Sequence, residues 1–331
     1  MEKRTEMSTE NPRFLPSFII DDKGRGQSID VAAVKQWSPE QGMLWVHLDV
    51  SDPHASRWLT KEARLPAIAV DTLLAGETRP RSIVSDEGML AVLRGVNMNP
   101  GADPEDMVSI RIWIDEHRII SSQRRRLLSI DDICEALHAG DGPTTPGNFL
   151  VMLIERLADR IGSFVDSIED RMDSAEDEIS KDKAPGFRQR LSALRRQIAE
   201  VRRFLAPQRD ALDRITRQSG TWLNDDEAHG LRQEADRITR FLEDLDLARE
   251  RAVVLQEELL SLIAQEQNAR MYVLSVVAAI FLPLTFITGL LGMNVGGLPG
   301  LESPVGFTWS IVIMIVAGVC LLLFFRWKKW L

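Results

Sequence analysis

Two apolar blocks near the C-terminus constrain this chain more than any other feature. YVLSVVAAIFLPLTFITGLLG (272–292) is 21 residues without a charge, and GFTWSIVIMIVAGVCLLLFF (306–325) is 20. At ~1.5 Å per residue, a helix of either length covers the ~30 Å hydrocarbon layer of a bilayer. Both are therefore predicted to be transmembrane helices. Pro283 lies inside the first, a position tolerated in a membrane helix, where Thr285 and neighbouring helices satisfy the freed carbonyl. Lys and Arg orient the pair. Arg270 precedes the first span and Arg326, Lys328 and Lys329 follow the second, while the loop 293–305 has neither residue type. Both ends are expected on the cytoplasmic side and the loop outside, with Trp309, Trp327 and Trp330 at interfacial depth.

The remainder of the chain is highly charged by contrast. Its 331 residues leave room for about two domains. With 49 acidic against 40 basic residues, the chain repels nucleic acid on balance, so no nucleic-acid partner is expected. MEKRTEMSTENPRF has neither an apolar core nor a small-residue cleavage site, so no signal peptide is expected and the bulk of the chain should stay in the cytoplasm. The two cysteines, Cys134 and Cys320, cannot build a disulfide framework. Neither the GxxxxGK[ST] nor the HExxH, GxSxG or GxGxxG pattern occurs, which argues against an enzyme; no cofactor is expected.

Residues 1–147 read as a mixed α/β domain. Period-2 runs occur at 14–20, 43–50, 81–99 and 107–123, the last resembling a hairpin turning at Asp115 to His117. Helical stretches fall near 54–75 and 129–139, and GDGPTTPGN (140–148) breaks the pattern. Residues 148–223 then read as paired helices. One apolar stripe runs from Leu150 to Ile179, and a second from Phe187 to Leu205 leads to Pro207, which should kink or end that helix. Asn224, followed by Asp225, Asp226 and Glu227, is a good N-cap for the next element. No Gly or Pro occurs between Leu231 and Leu282, which predicts one stalk helix of roughly 65 residues over 224–292 running into the first span. The loop 293–305, the second span 306–325 and a basic tail 326–331 complete the chain.

Two helices cannot enclose a water-filled path, so conduction requires several copies, each contributing a helix to a ring. Stepping back along the helix from Asn294, mostly by three and four residues, gives Gly289 or Leu290, then Thr285, Leu282, Ala278, Leu274, Met271 and Asn268. This face suits a largely apolar pore gated by dewetting or by Leu and Met rings. By periodicity alone it suits helix packing at least as well, because small residues close membrane interfaces.

Gly292, Met293 and Asn294 tip that balance. PLTFITGLLGMN (283–294) resembles the signature of the CorA family of divalent-cation transporters, in which a Gly-Met-Asn motif closes the first of two C-terminal spans. The resemblance extends to the tail RWKKWL (326–331), to AGETRPR (75–81), which looks like the family's cytoplasmic motif, and to Asn268, 26 residues before Asn294. GMNVGGLPG and RRFLAPQRD (202–210) look like the ZntB branch of zinc transporters, and Val295 to Leu298 stand where the magnesium branch usually has a Glu. The resemblance implies a funnel-shaped homopentamer in a bacterial inner membrane. It further implies proton-coupled uptake of Zn²⁺, with Ni²⁺, Co²⁺ and Cd²⁺ as further candidate ions. Efflux, a magnesium or cobalt channel of the same fold, and a non-conducting coiled-coil scaffold anchored in lipid are the alternatives. A ring of Asn294 carboxamides would offer acceptors to a hydrated cation without stripping its water. Gly292 would let the chain turn, Met293 would support the turn, and Glu302 is a displaced acidic candidate at the mouth.

Zinc prefers N and S ligands, yet the predicted pore face carries no Cys or His. His47, His54, His117, His138 and His229 all precede the spans. Cys134 and His138 stand at i, i+4 after Asp131 and Asp132, a weak metal signal without a second pair. The acidic run 166–182 reads either as a cation-gathering surface or as the wet face of a helix. The Arg-rich 123–126 and 188–204 read as anion sites or as partners for those acids.

Overall fold

The computed structural model describes residues 14–181, 186–218, 223–293 and 304–328. They form two compact units divided between Gln256 and Glu257.

The first unit is built on a seven-stranded sheet. In chain order its elements are β1 (Phe14–Ile20), β2 (Gly26–Ser28), α1 (Val31–Gln36), β3 (Met43–Asp49), α2 (Pro53–Lys61), α3 (Ala67–Leu74), β4 (Arg81–Ser85), β5 (Gly88–Gly95), β6 (Val108–Ile114), β7 (Arg118–Gln123) and α4 (Leu128–Ala139). Three long helices follow: α5 (Pro146–Lys181), α6 (Phe187–Gln218) and α7 (Asp225–Leu291). The strand order is β2-β1-β3-β7-β6-β5-β4, and β3 pairs with β7 in parallel while the other pairings are antiparallel. The expected hairpin is present, with Asp115 and Arg118 closing its turn.

Alternation along β3 shows how the sheet is covered on both faces. Leu44, Val46 and Leu48 join a core with Ala55 and Leu59 of α2 and Ala69 and Leu73 of α3. Trp45 and His47 point the other way, and the Trp45 ring packs edge-on against Phe149 of α5 at 4.9 Å.

The α5 stripe is buried from Leu150 to Met172, and α6 buries Leu191, Leu194, Ile198, Val201, Leu205 and Leu212. Pro207 does not end α6, which continues to Gln218. A proline removes one backbone bond, but here the flanking Leu205, Gln208, Ala211 and Leu212 are all buried. Gln208 Oε1 also accepts the Arg94 N–H at 2.6 Å, so tertiary contacts hold both sides of the interruption. The break expected at Ser219 and Gly220 falls outside the described residues; α6 ends at Gln218 and α7 begins at Asp225.

The stalk helix runs unbroken for 67 residues, with Asn224 as its N-cap as expected. Leu231, Ala235, Ile238, Leu242, Leu245 and Ala252 are its buried seam. Close approach of α5 and α7 depends on glycine: a Cβ on Gly230 would lie 2.9 Å from Val151, and one on Gly162 3.0 Å from Phe241. The second unit holds the remainder of α7 and α8 (Gly306–Trp327), and α7 and α8 are each long and apolar enough to cross a membrane.

Candidate pore face and its motif

Over its last 20 residues α7 is partly covered at Val276, Ala279, Ile280, Pro283, Leu284, Ile287 and Leu291, a single stripe at steps of three and four. On α8 the matching positions are Ser310, Met314, Ala317, Gly318, Leu321 and Phe325. A hairpin of two apolar helices leaves one covered stripe on each helix.

The face read from sequence lies opposite. At ~100° per residue, Leu274, Ala278, Leu282, Thr285 and Gly289 centre roughly 180° from the covered stripe. All are exposed in the single chain, and Met271, Leu274 and Leu282 reach 66%, 69% and 69%. A Cβ added to Gly289 would meet nothing within 4 Å. Asn268 is exposed too, but falls roughly 75° to one side of this arc. Thr288 ties its hydroxyl to the Thr285 carbonyl at 2.9 Å, whereas the Thr285 hydroxyl has no protein partner among the described residues. The structure thus gathers Met271, Leu274, Ala278, Leu282, Thr285 and Gly289 on one bare face of the helix.

Gly292 ends the helix in a way the sequence did not foretell. Its N–H donates to the Thr288 carbonyl at 2.9 Å, and its φ is not left-handed, so no special turn geometry demands glycine. A Cβ there would sit 3.0 Å from the same Thr288 oxygen, a contact tight by a few tenths of an ångström. Met293 is 46% exposed in the single chain. Asn294 and Glu302 lie outside the described residues.

The family model described as CorA-like Mg2+ transporter protein matches residues 40–329. The chain belongs to the CorA family. It is 40% identical over 324 residues to the "Divalent cation transporter CmaX" of Pseudomonas aeruginosa, covering 96% of this chain and 97% of that one. It is also 40% identical over 276 residues to the "Zinc transport protein ZntB" of Pectobacterium atrosepticum, covering 83% and 84%. The solved full-length CmaX structure superposes with a TM-score of 0.85 at 37% identity, covering 98% of this chain and all of that one. As a CorA-family member the chain is a membrane transporter of divalent cations with a large α/β extramembrane domain, and not an enzyme.

Elsewhere in this CorA-family chain, the rival site candidates resolve into structural roles. Burial, reinforced by Asp131 and Glu135, pushes the Cys134 thiol up to about 12, and His138 Nδ1 sits 2.7 Å from the Cys134 carbonyl. The pair has no third ligand beside it: among the described residues, no three His, Cys, Asp or Glu side chains stand together as a metal site. Within the acidic run, Asp173 and Glu176 pair with Arg251 and Glu178 with Arg190, while arginines of the Arg-rich segments also pair outside the run: Arg202 with Asp246, Arg125 with Asp106, and Arg126 with Asp131. Sequence reading passed over Arg111, although a lone charge in the apolar strand VSIRIWI was the signal; it is fully buried.

Proposed function

We propose that this protein carries Zn²⁺ across the bacterial inner membrane as a homopentamer, with uptake into the cytoplasm coupled to protons. In this reading 1–147 and 148–223 form the cytoplasmic part, 224–292 the stalk and first span, 293–305 the outer loop, 306–325 the second span and 326–331 the cytoplasmic tail. Five first spans surround the path, with Met271, Leu274, Ala278, Leu282, Thr285 and Gly289 lining it and Asn268 toward its inner end.

One observation carries the reading: Met271, Leu274, Ala278, Leu282, Thr285 and Gly289 form the bare face of α7, opposite the stripe covered within the chain, and the motif follows directly on that helix. Asn294 amides at the mouth contact the hydrated cation through its water, with Met293 behind them and Glu302 as a further acidic contact. A neutral ring binds weakly enough to release, as conduction requires. A 100 mV potential adds about 4.6 kcal/mol for a divalent ion moving inward. The zinc assignment is supported by the relative named for zinc transport at 40% identity.

A magnesium or broader divalent specificity, with Co²⁺, Ni²⁺ and Cd²⁺ among the ions, is the second reading. The absence of His and Cys from the lining favours it, because an outer-sphere amide ring does not by itself choose zinc.

Proteoliposomes test this directly. Zn²⁺ influx should rise with an inward proton gradient, resist excess Mg²⁺ and vanish in Asn294→Ala, with pentamer assembly retained. Equal competition by Mg²⁺ assigns the second reading, indifference to pH removes the coupling, net outward movement reverses the direction, and an absence of flux leaves a membrane-anchored scaffold.

A further inference from the structure

Within the α/β unit lies a cavity of about 590 Å³, bounded by the segment 76–79, β5, β6, the 124–125 segment and α6. Its chemistry is unusual because its buried cations outnumber their counter-charges.

Arg111 of β6 is fully buried. Nη2 donates to the Gly76 carbonyl at 2.6 Å, while Nε and Nη1 find no partner among the described residues. The nearest charges acting on it are Arg124 and Arg94, both repulsive, and with burial they bring its pKa down to about 10. Arg94 donates Nη1 to the Met107 carbonyl at 2.8 Å and Nη2 to the Thr78 carbonyl at 2.9 Å, leaving Nε buried and unpartnered. The Thr78 hydroxyl is buried and equally without a partner. Of the acids that line the cavity, Asp106 pairs with Arg125, Glu200 approaches Arg203 at 3.8 Å, and Glu105 accepts from Gln197 at 3.2 Å, while Glu77 and Asp103 are exposed at its rim; none of them pairs with Arg111.

A buried, unpaired guanidinium costs several kcal/mol unless an anion joins it. We propose that this cavity binds a phosphate group, supplied either as inorganic phosphate or by a small phosphorylated metabolite. The unpartnered guanidinium nitrogens of Arg111 and Arg94 favour an anion over a cation. Four spare donors on three residues call for several acceptor oxygens, which a tetrahedral oxyanion provides and a single halide does not. The cavity also leaves room beyond one phosphate for the organic part of a metabolite.

The test uses the full-length protein in detergent or nanodiscs, titrated with inorganic phosphate and separately with metal-free ATP, against NaCl of matched ionic strength. Saturable binding and a raised melting temperature with either probe support the site. Phosphate alone acting identifies the free anion, and ATP alone a nucleotide-like ligand. Arg111→Met should weaken binding at least tenfold, while its melting temperature without anion stays at or above that of the parent, since an unpaired buried charge is gone. Arg94→Lys, which keeps the charge but loses Nε, should also bind at least tenfold more weakly. It decides the matter if Arg111→Met fails to fold. No saturable binding beyond NaCl, or unchanged affinity in the folded variants, overturns the proposal.

Discussion

Asn224 and Glu227 hydrogen-bond each other in both directions at the start of α7. The Glu227 N–H donates to Asn224 Oδ1 at 2.8 Å, and the Asn224 N–H donates to Glu227 Oε2 at 2.9 Å. This reciprocal box satisfies two backbone donors at once. The Thr145 hydroxyl also bonds the Glu227 carboxylate, so the box fastens the stalk to the start of α5.

Asn224→Ala should therefore lower unfolding stability by about 1 kcal/mol. Glu227→Ala should cost more, because it also strands Thr145. Denaturant titration monitored by circular dichroism checks both, and equal losses for the two variants would separate the box from the Thr145 contact.

His47 gives the α/β unit a pH dependence. It is fully buried, its Nδ1 lies 2.7 Å from the Ser121 hydroxyl, and burial holds its pKa down at about 4 instead of 6.5. A base with a depressed folded pKa takes up its proton in the unfolded chain first, so its contribution is complete above pH 6.5 and is lost as pH falls toward 4. The shift is worth about 3 kcal/mol over that window. Thermal melts from pH 7 to 4 should show a steeper decline for the parent than for His47→Asn.

The stalk seam is held by packing. Leu245 is fully buried in α7, and Leu245→Ala should cost about 2–5 kcal/mol. Leu282 is 69% exposed in the single chain, so Leu282→Ala should leave the melting temperature of the cytoplasmic part unchanged while altering flux. Differential scanning calorimetry alongside vesicle flux separates the two effects.

Cysteine accessibility maps the bare face. In a Cys320→Ser background, Thr285→Cys should react with a charged, water-soluble thiol reagent and lose flux, whereas Ile280→Cys on the covered stripe should not. Cys134 stays silent near pH 8 because its thiol is pushed up to about 12. Equal labelling of Thr285→Cys and Ile280→Cys would rule out a water-lined Thr285 face.

Much of this fold was legible because hydrophobic period reports local geometry directly. The period-2 runs marked β1, β3, the β4–β5 stretch and the β6–β7 hairpin, and the seam from Leu231 to Leu245 together with the Asn224 cap marked the stalk. Pro207 left ending or kinking open, and ending is ruled out by α6 continuing to Gln218; backbone chemistry alone cannot weigh the packing of Leu205 and Gln208 on either side of it. Arg111 stayed hidden for a related reason: its meaning depends on Gly76, Thr78 and Arg94, which the chain brings beside it from other strands and loops. The candidate pore face was readable as spacing, but only the covered stripe on its opposite side shows that the chain leaves it bare.

The parallel pairing of β3 with β7 joins Leu44–Asp49 to Arg118–Gln123. Together with α6, which reaches back to Arg94 through Gln208, everything that sheet needs is encoded before the first apolar block. A nascent chain can therefore finish its α/β layer outside the ribosome before any span is synthesised. Insertion into the bilayer then becomes a late event performed on an already folded cargo, which favours delivery of a closed hairpin over threading of one segment at a time.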